Sequence, residues 1–236
     1  MLIKSKLKHK AFVLLSGGQD SFVSLMWAKD NFTLVEAITI KYNQTHEKEI
    51  DYAIEIAKTF EIPHYLYDIK DFFNVLSISS LTGQGNHDQS HPLDSNLPAS
   101  FVPGRNGIFL TILALHAYSR CSNNLNLVIG VNQVDFSGYP DCRDNYIKAK
   151  QIELTLGLNR DVVIHTPLIY LKKAEIFLLA EEYGKLNELI ELTLSCYNGV
   201  EKMNPWGRGC GICPSCQIRK KGYEEFLKLK NNLNDY

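Results

Sequence analysis

Three observations in this 236-residue chain predict an α/β fold built on a mainly parallel sheet. Short apolar runs alternate with stretches of helical period. The runs are closed by glycine, proline or polar turns, and the alternation persists along most of the length. Successive strand–helix–strand units imply right-handed crossovers between parallel neighbours. Hydrophobic residues at 45% and charged residues at 22% are ordinary globular proportions, in a chain long enough to bury a sizeable core.

The elements follow in order. Met1–Lys10 is lysine-rich, lacks the apolar stretch of a secretory signal, and reads as a solvated lead-in. Ala11–Leu15 is a strand buried on both faces, closed by Ser-Gly-Gly. A helix over Ser21–Lys29 places Phe22, Leu25, Met26 and Trp27 at helical spacing, and Leu34–Ile40 is strand-like again. In His46–Phe60 the residues Ile50, Ala53, Ile54, Ala57 and Phe60 share one helical face, Pro63 ends the segment, and His64–Ile69 is a third strand. From Thr82 to Ser100 the pattern stops in a polar loop with Gly83, Gly85, Pro92 and Pro98. Its His87 and His91, near Asp88 and Asp94, are read as solvated loop residues with no metal assigned. A helix over Gly107–Ser119, a strand Asn126–Val131, a helix Asp144–Leu156 and a strand Val162–His165 restore the alternation. A helix Lys172–Tyr183 ends at Gly184, and a closing helix covers Ser215–Leu229. No internal repeat or linker separates a main domain, 1–190, from a C-terminal module, 191–236, expected to pack on it.

Composition excludes several classes. The net charge of −1 gives no basic excess to hold a polynucleotide backbone, so direct nucleic-acid binding is not expected. No run of about 18 apolar residues supplies a membrane span. The expected compartment is the cytoplasm, where disulfides are rare, so the six cysteines need another account.

Four of them have one. Cys210, Cys213 and Cys216 stand in C-x₂-C-x₂-C spacing, with Cys196 fourteen residues earlier. Gly209, Gly211 and Pro214 let the chain turn tightly enough for the thiolates to converge. Such a set can hold zinc or an iron–sulfur cluster, and the compact C-x₂-C knuckles fit zinc better. A closed all-thiolate set leaves no open coordination position, so one structural Zn²⁺ is expected. Cys121 and Cys142 lack such partners and are read as ordinary residues.

The second chemical signal lies at the end of the first strand. Ser16-Gly17-Gly18-Gln19-Asp20-Ser21 joins that strand to a helix beginning at Asp20 or Ser21. The glycines allow close backbone approach, and the first helical N–H groups point at an anion. Ser16 and Ser21 add hydroxyl donors, and Asp20 suits Mg²⁺ beside phosphate. The pattern is neither the Walker loop nor the dinucleotide fingerprint. In an open parallel sheet ligands sit beyond the strand C-termini, where Phe101–Asn106 and Asp135–Asp144 would lie. Arg105 and Arg143 can fork onto carboxylate or phosphate. Asp135 and Asp141 can accept from a purine-like N–H edge, with Phe136 or Tyr139 stacking.

The hexapeptide resembles the SGGxDS pyrophosphate loop of the PP-loop ATPases. That resemblance implies an adenine-nucleotide α-hydrolase-like, Rossmann-like fold and activation of a carbonyl or carboxyl oxygen by ATP. Further segments narrow it. They are Tyr42-Asn43-Gln44-Thr45-His46, Val102-Pro103-Gly104-Arg105-Asn106, Phe136–Asp144 (FSGYPDCRD), Thr166-Pro167-Leu168 with Lys173-Ala174-Glu175, and Ser195–Gly199 (SCYNG) ahead of the cysteines. Across nearly the whole chain these resemble the QueC family of queuosine-precursor biosynthesis. The resemblance implies conversion of 7-carboxy-7-deazaguanine, ammonia and ATP to the nitrile 7-cyano-7-deazaguanine (preQ0). It also implies that Leu15, Ser16, Gly17, Gly18, Gln19, Asp20, Ser21, Phe22, Val23, Ser24 and Leu25 form the ATP segment. Asp20 would hold Mg²⁺, Lys173 would balance phosphate charge, and the chain would pair as a homodimer. Three departures stand out: Phe22 where the family often has Thr, Asn43 in place of the usual Gly, and a longer Cys196-to-Cys210 spacing, with Met203–Trp206 as the extra residues.

Overall fold

The computed structural model describes residues 7–44, 47–74, 79–82, 90–91, 94–134 and 139–234. In chain order the elements begin with β1 (Leu7–Leu14), α1 (Gln19–Asn31), β2 (Phe32–Lys41), α2 (Lys48–Thr59), β3 (His64–Asp68) and the short α3 (Lys70–Asn74). They continue with β4 (Ser90–His91), β5 (Asp94–Pro98), α4 (Arg105–Tyr118), β6 (Leu125–Val128), a 3₁₀ turn at Pro140–Cys142, and α5 (Asp144–Leu158). The chain closes with β7 (Val162–His165), α6 (Lys173–Glu182), α7 (Leu186–Leu192), β8 (Met203–Asn204), β9 (Gly207–Arg208) and α8 (Pro214–Asn234).

Five strands form one parallel sheet in the order β3-β2-β1-β6-β7. The chain therefore runs outward from β1 through β2 to β3, returns, and runs outward the other way through β6 and β7. The point of reversal lies between β1 and β6, the position at which open α/β sheets bind ligands beyond the strand ends. Both faces of the sheet are covered. Ala11, Val13 and Leu15 of the β1 strand and its end face a core shared with α1, α2, α6, α7 and α8, whereas Phe12 and Leu14 face a core shared with α4 and α5. This is the two-residue period of a strand buried on both sides, and it explains the unbroken apolar run in the sequence.

Helix α1 is buried nearly all round, from Gln19 through Met26 and again at Ala28 with only Asp20 partly open, so its sequence has no single apolar stripe. Phe22, at a position where a hydroxyl is common in the similar family, is wholly buried with its ring 5.7 Å from that of Phe60. Asn43 takes φ +67, the left-handed conformation that glycine adopts freely and asparagine tolerates best among other residues. The turn survives the replacement. Gly184, at φ +65, follows the last turn of α6 in the expected capping position.

Some elements differ from the sequence-based expectation. Strand β1 begins at Leu7, inside the expected lead-in, because it pairs with Phe32 of β2 well before the apolar run starts. Part of the 82–100 stretch is a small antiparallel hairpin, β4–β5, and His91 within it is buried with its ring 5.8 Å from Phe101. His87 and Asp88 lie outside the described residues. Helix α7 and the two-residue hairpin β8–β9 had no periodic signal long enough to announce them. Helix α8 returns to the main core, where Tyr223 and Phe226 pack on Phe177 of α6 at centroid distances of 5.4 and 5.9 Å. No helix among the described residues is long and apolar enough to cross a membrane.

Candidate active site and cysteine centre

A cavity of about 310 Å³ opens beyond the C-terminal ends of β1, β2 and β6. One end of it is the loop from Ser16 to Ser21. Gly17 has φ +87, and a Cβ there would lie 2.0 Å from the Glu49 carbonyl oxygen of α2, so only glycine fits. Ser16 Oγ donates to Ser21 Oγ at 3.1 Å, and Ser21 Oγ donates to the Gly18 carbonyl at 2.9 Å. The hydroxyls thus brace the loop as well as facing the cavity. Helix α1 begins at Gln19 behind an N-cap glycine, Gly18, that has no side chain to offer. The Gln19 amide donates to Ser195 Oγ at 3.3 Å, which leaves the Asp20 and Ser21 amides as first-turn donors for an anion. From the far side Gly130, just after β6, approaches so closely that a Cβ would sit 2.8 Å from the Asp20 backbone.

Lys173, at the start of α6, donates to Asp20 Oδ2 at 2.6 Å, and Gln19 Nε2 donates to Asp20 Oδ1 at 3.3 Å. The Lys173 stem is held against Gly222 of α8, where a Cβ would come within 2.3 Å of it. Sequence placed Lys173 and Asp20 more than 150 residues apart; the fold sets them side by side.

The other end of the cavity is aromatic and cationic. The Arg105 guanidinium, at the start of α4, lies 5.7 Å from the Tyr42 ring centre and 5.6 Å from that of Tyr139, and it donates to the Tyr42 hydroxyl at 3.2 Å. Burial works against the Arg105 charge, but its surroundings, with the Asp141 carboxylate among them, more than offset the cost and hold the guanidinium protonated. Tyr139 donates to Ser100 Oγ at 2.6 Å. Burial keeps the Tyr42 and Tyr197 phenols neutral. Glu49 lines the same space, with its carboxyl pushed up to about 7 by burial against the opposing pull of Arg105.

The expected site residues divide as follows. Leu15, Ser16, Gly18, Gln19, Asp20, Ser21, Arg105, Tyr139 and Lys173 line the cavity. Phe22, Val23, Ser24 and Leu25 point into the core, because the helix turns them away from the sheet's end. Asp141 is buried one step behind the cavity wall, accepting the Asn106 amide at 2.9 Å and so fixing the start of α4. Arg143 is exposed at the start of α5 and does not line the cavity. Asp135 lies outside the described residues. Cys142, read as ordinary, also lines the cavity. Its thiol accepts from Asn106 Nδ2 at 3.2 Å and is pushed up to about 12 by burial and Asp141, so it stays neutral. Glu49, Ser195 and Arg219 line it too. No spacing rule marks them, since each is isolated from the loop in sequence.

The four cysteines converge. The sulfurs of Cys196, Cys210, Cys213 and Cys216 all lie within 4.8 Å of one another, with Cys196–Cys213 at 4.0 Å and Cys210–Cys216 at 3.9 Å. Tetrahedral ligation with Zn–S bonds of about 2.3 Å places sulfurs about 3.8 Å apart, so this set fits such an ion. The Cys213 amide and Asn198 Nδ2 donate to Cys210 Sγ at 3.3 and 3.5 Å, which favours its thiolate form. Between Cys196 and Cys210 the chain forms β8–β9, and the hairpin delivers Trp206, 5% exposed, to the cysteine cluster.

Residues 10–227 match a family described as queuosine biosynthesis protein QueC. The chain is 42% identical over 223 residues to a 7-cyano-7-deazaguanine synthase of Bacillus subtilis (strain 168), covering 94% of this chain and 97% of that one. It is 44% identical over 222 residues to the enzyme of the same name from Clostridium botulinum (strain ATCC 19397 / Type A), at 94% and 97% coverage. Among solved structures, a 4-thiouridine synthetase–RNA complex with bound ATP is similar in fold, with a TM-score of 0.51 and 17% identity. That likeness covers 94% of this chain and 51% of the synthetase.

Proposed function

Because the chain belongs to the QueC family of queuosine biosynthesis, we propose that it makes 7-cyano-7-deazaguanine from 7-carboxy-7-deazaguanine, ammonia and ATP. In reaction class it is a ligase that forms carbon–nitrogen bonds. The observation that supports this most directly is the single cavity whose two ends differ in chemistry. The Ser16–Ser21 loop with Lys173 suits a polyphosphate, and Arg105 between Tyr42 and Tyr139 suits a flat, anionic heterocycle.

A carboxylate is a poor electrophile because its oxygen leaves badly. Attack of that oxygen on a phosphorus of ATP makes a mixed acyl–phosphate anhydride. Ammonia attacks its carbonyl carbon, the phosphate group leaves with the former carboxylate oxygen, and the amide results. A second ATP activates the amide oxygen, and loss of that oxygen with two protons leaves the nitrile. In such chemistry the protein chiefly positions the partners and neutralises charge. The Asp20 and Ser21 amides of α1 donate to phosphate oxygens, Lys173 offsets their charge, and Arg105 orients the heterocycle. Glu49, poised near neutrality by burial, accepts a proton from the entering ammonia. Asp20, which lines the cavity beside Lys173, would hold Mg²⁺, which supplies further charge neutralisation on the polyphosphate.

Cys196, Cys210, Cys213 and Cys216 would hold one structural Zn²⁺. On this reading residues 1–190 form the nucleotide-binding unit and 191–236 the metal module packed on it. The partners are small molecules without direct nucleic-acid contact, in a cytoplasmic homodimer. Purified protein given carboxy-deazaguanine, ATP, Mg²⁺ and ammonium is expected to yield the nitrile by mass spectrometry, with each component required. An amide that accumulates without nitrile would overturn the synthase assignment.

A further inference from the structure

The cysteine centre and the phosphate loop share one residue, Ser195. It directly precedes the ligand Cys196, and its Oγ accepts the Gln19 amide, the first helical N–H of α1, at 3.3 Å. Its neighbour Leu194 donates its amide to the Gly17 carbonyl at 3.0 Å. From the other side Ser215, between Cys213 and Cys216, donates its hydroxyl to the Ser195 carbonyl. Both arms of the four-cysteine cluster therefore grip the residue that touches the loop.

Arg219, one helical turn beyond Cys216, completes the arrangement. It is 1% exposed, lines the cavity, and donates to the carbonyls of Trp206, Thr193 and Leu189 at 2.9, 3.4 and 3.0 Å. Its Nη1 also reaches Ser195 Oγ at 3.5 Å. Among the described residues no carboxylate lies within ion-pair distance of it, and Asp20 of the loop acts on it only from farther off. A buried cation without an ion partner is expensive where stability alone is at stake, and an apolar side chain would serve better. Its position between a thiolate cluster and an anion-binding loop gives the charge a use at both. Gly207 is glycine for the same reason, since a Cβ there would meet the guanidinium at 2.3 Å.

We propose that Ser195 and Arg219 are positioning residues that couple the metal centre to the phosphate loop, so that metal retention and ATP binding strengthen each other. The inference rests on the ATP-using reading above. Coupling of this kind is reciprocal: if the ordered centre favours ATP, then ATP favours the ordered centre by the same factor.

The test reads zinc release from the metal-loaded enzyme to a chromophoric chelator, with and without saturating MgATP, beside ATP affinity by calorimetry. In the unaltered protein MgATP is expected to slow release several-fold. Ser195→Ala is expected to keep one zinc per chain, bind ATP about 10-fold more weakly, the worth of one hydrogen bond, and lose the MgATP effect on release. Ser195→Thr, which keeps the oxygen, restores both. Arg219→Lys, which keeps charge but not the fork, reduces the effect. Release indifferent to MgATP in the unaltered protein, or equal protection in Ser195→Ala, overturns the coupling. Absence of any ATP binding by the unaltered protein overturns the functional reading itself, which keeps the two failures apart.

Discussion

Glu49 is the residue whose chemistry depends most on its surroundings. Nothing around it in sequence separates it from the exposed acids of α2, yet α2 docks so closely on Gly17 that the side chain lines the cavity. Its carboxyl, pushed up to about 7, binds its proton more tightly in the folded chain than in the unfolded one. Between the unfolded value near 4.5 and about 7 the native state thus carries the extra proton, and stability falls as pH rises through that window. Replacing Glu49 by Gln removes the ionisation and keeps the shape. Urea unfolding at pH 5 and pH 8 is expected to show the parent losing on the order of 1–3 kcal/mol more than Glu49→Gln over that interval. Parallel curves for the two proteins would rule out a buried titrating carboxyl. Asp20, by contrast, was legible from sequence as a cavity residue, because it stands two positions after a glycine pair at a strand-to-helix turn.

At the scale of elements the decisive contacts are close approaches of backbone. Gly130 after β6 and Gly107 in α4 would both crowd an added methyl, at 2.8 and 2.1 Å, but against different neighbours. At Gly130 the obstacle is the Asp20–Ser21 backbone, which cannot move without displacing the start of α1. At Gly107 it is the hydroxyl end of Tyr146, which can swing aside, and alanine gains helix propensity there. Gly130→Ala is expected to destabilise by about 1–3 kcal/mol and to weaken ATP binding. Gly107→Ala should be near neutral in thermal melting, although its nominal overlap is the worse of the two. Equal melting temperatures for the two variants would contradict this account. Among the elements themselves, the long strands and helices were legible and the short ones were not. Helix α7 spans two turns and β8–β9 two residues a side, too short for period to be measured.

Across the whole molecule the C-terminal segment both carries the four-cysteine cluster and forms a wall of the main core. Trp206, Cys196, Cys213 and Cys216 form a small buried cluster, while Phe226 of the same segment joins the large core with α1, α6 and α7. Without a cation four converging thiolates repel one another or take up protons, and the cysteine knuckles lose the bonds that would close them. Prolonged chelation is therefore expected to lower the melting temperature and to move Trp206 emission to longer wavelength as water reaches its ring. A Cys213→Ser variant should show the same emission without chelator. Unchanged emission and melting on removal of the metal would mean that the module closes on packing alone.

The chain by itself determined the parallel α/β pattern, the glycine loop after the first strand and the set of four clustering cysteines, because period, glycine placement and cysteine spacing are local properties that survive without coordinates. Only the tertiary structure decided that Arg105 is clasped between Tyr42 and Tyr139, that Lys173 meets Asp20, and that Ser195 and Arg219 stand between loop and cysteines. Those contacts join residues 24 to 176 positions apart. They arise from the reversal of strand order, which gathers distant strand ends and helix starts at one edge of the sheet.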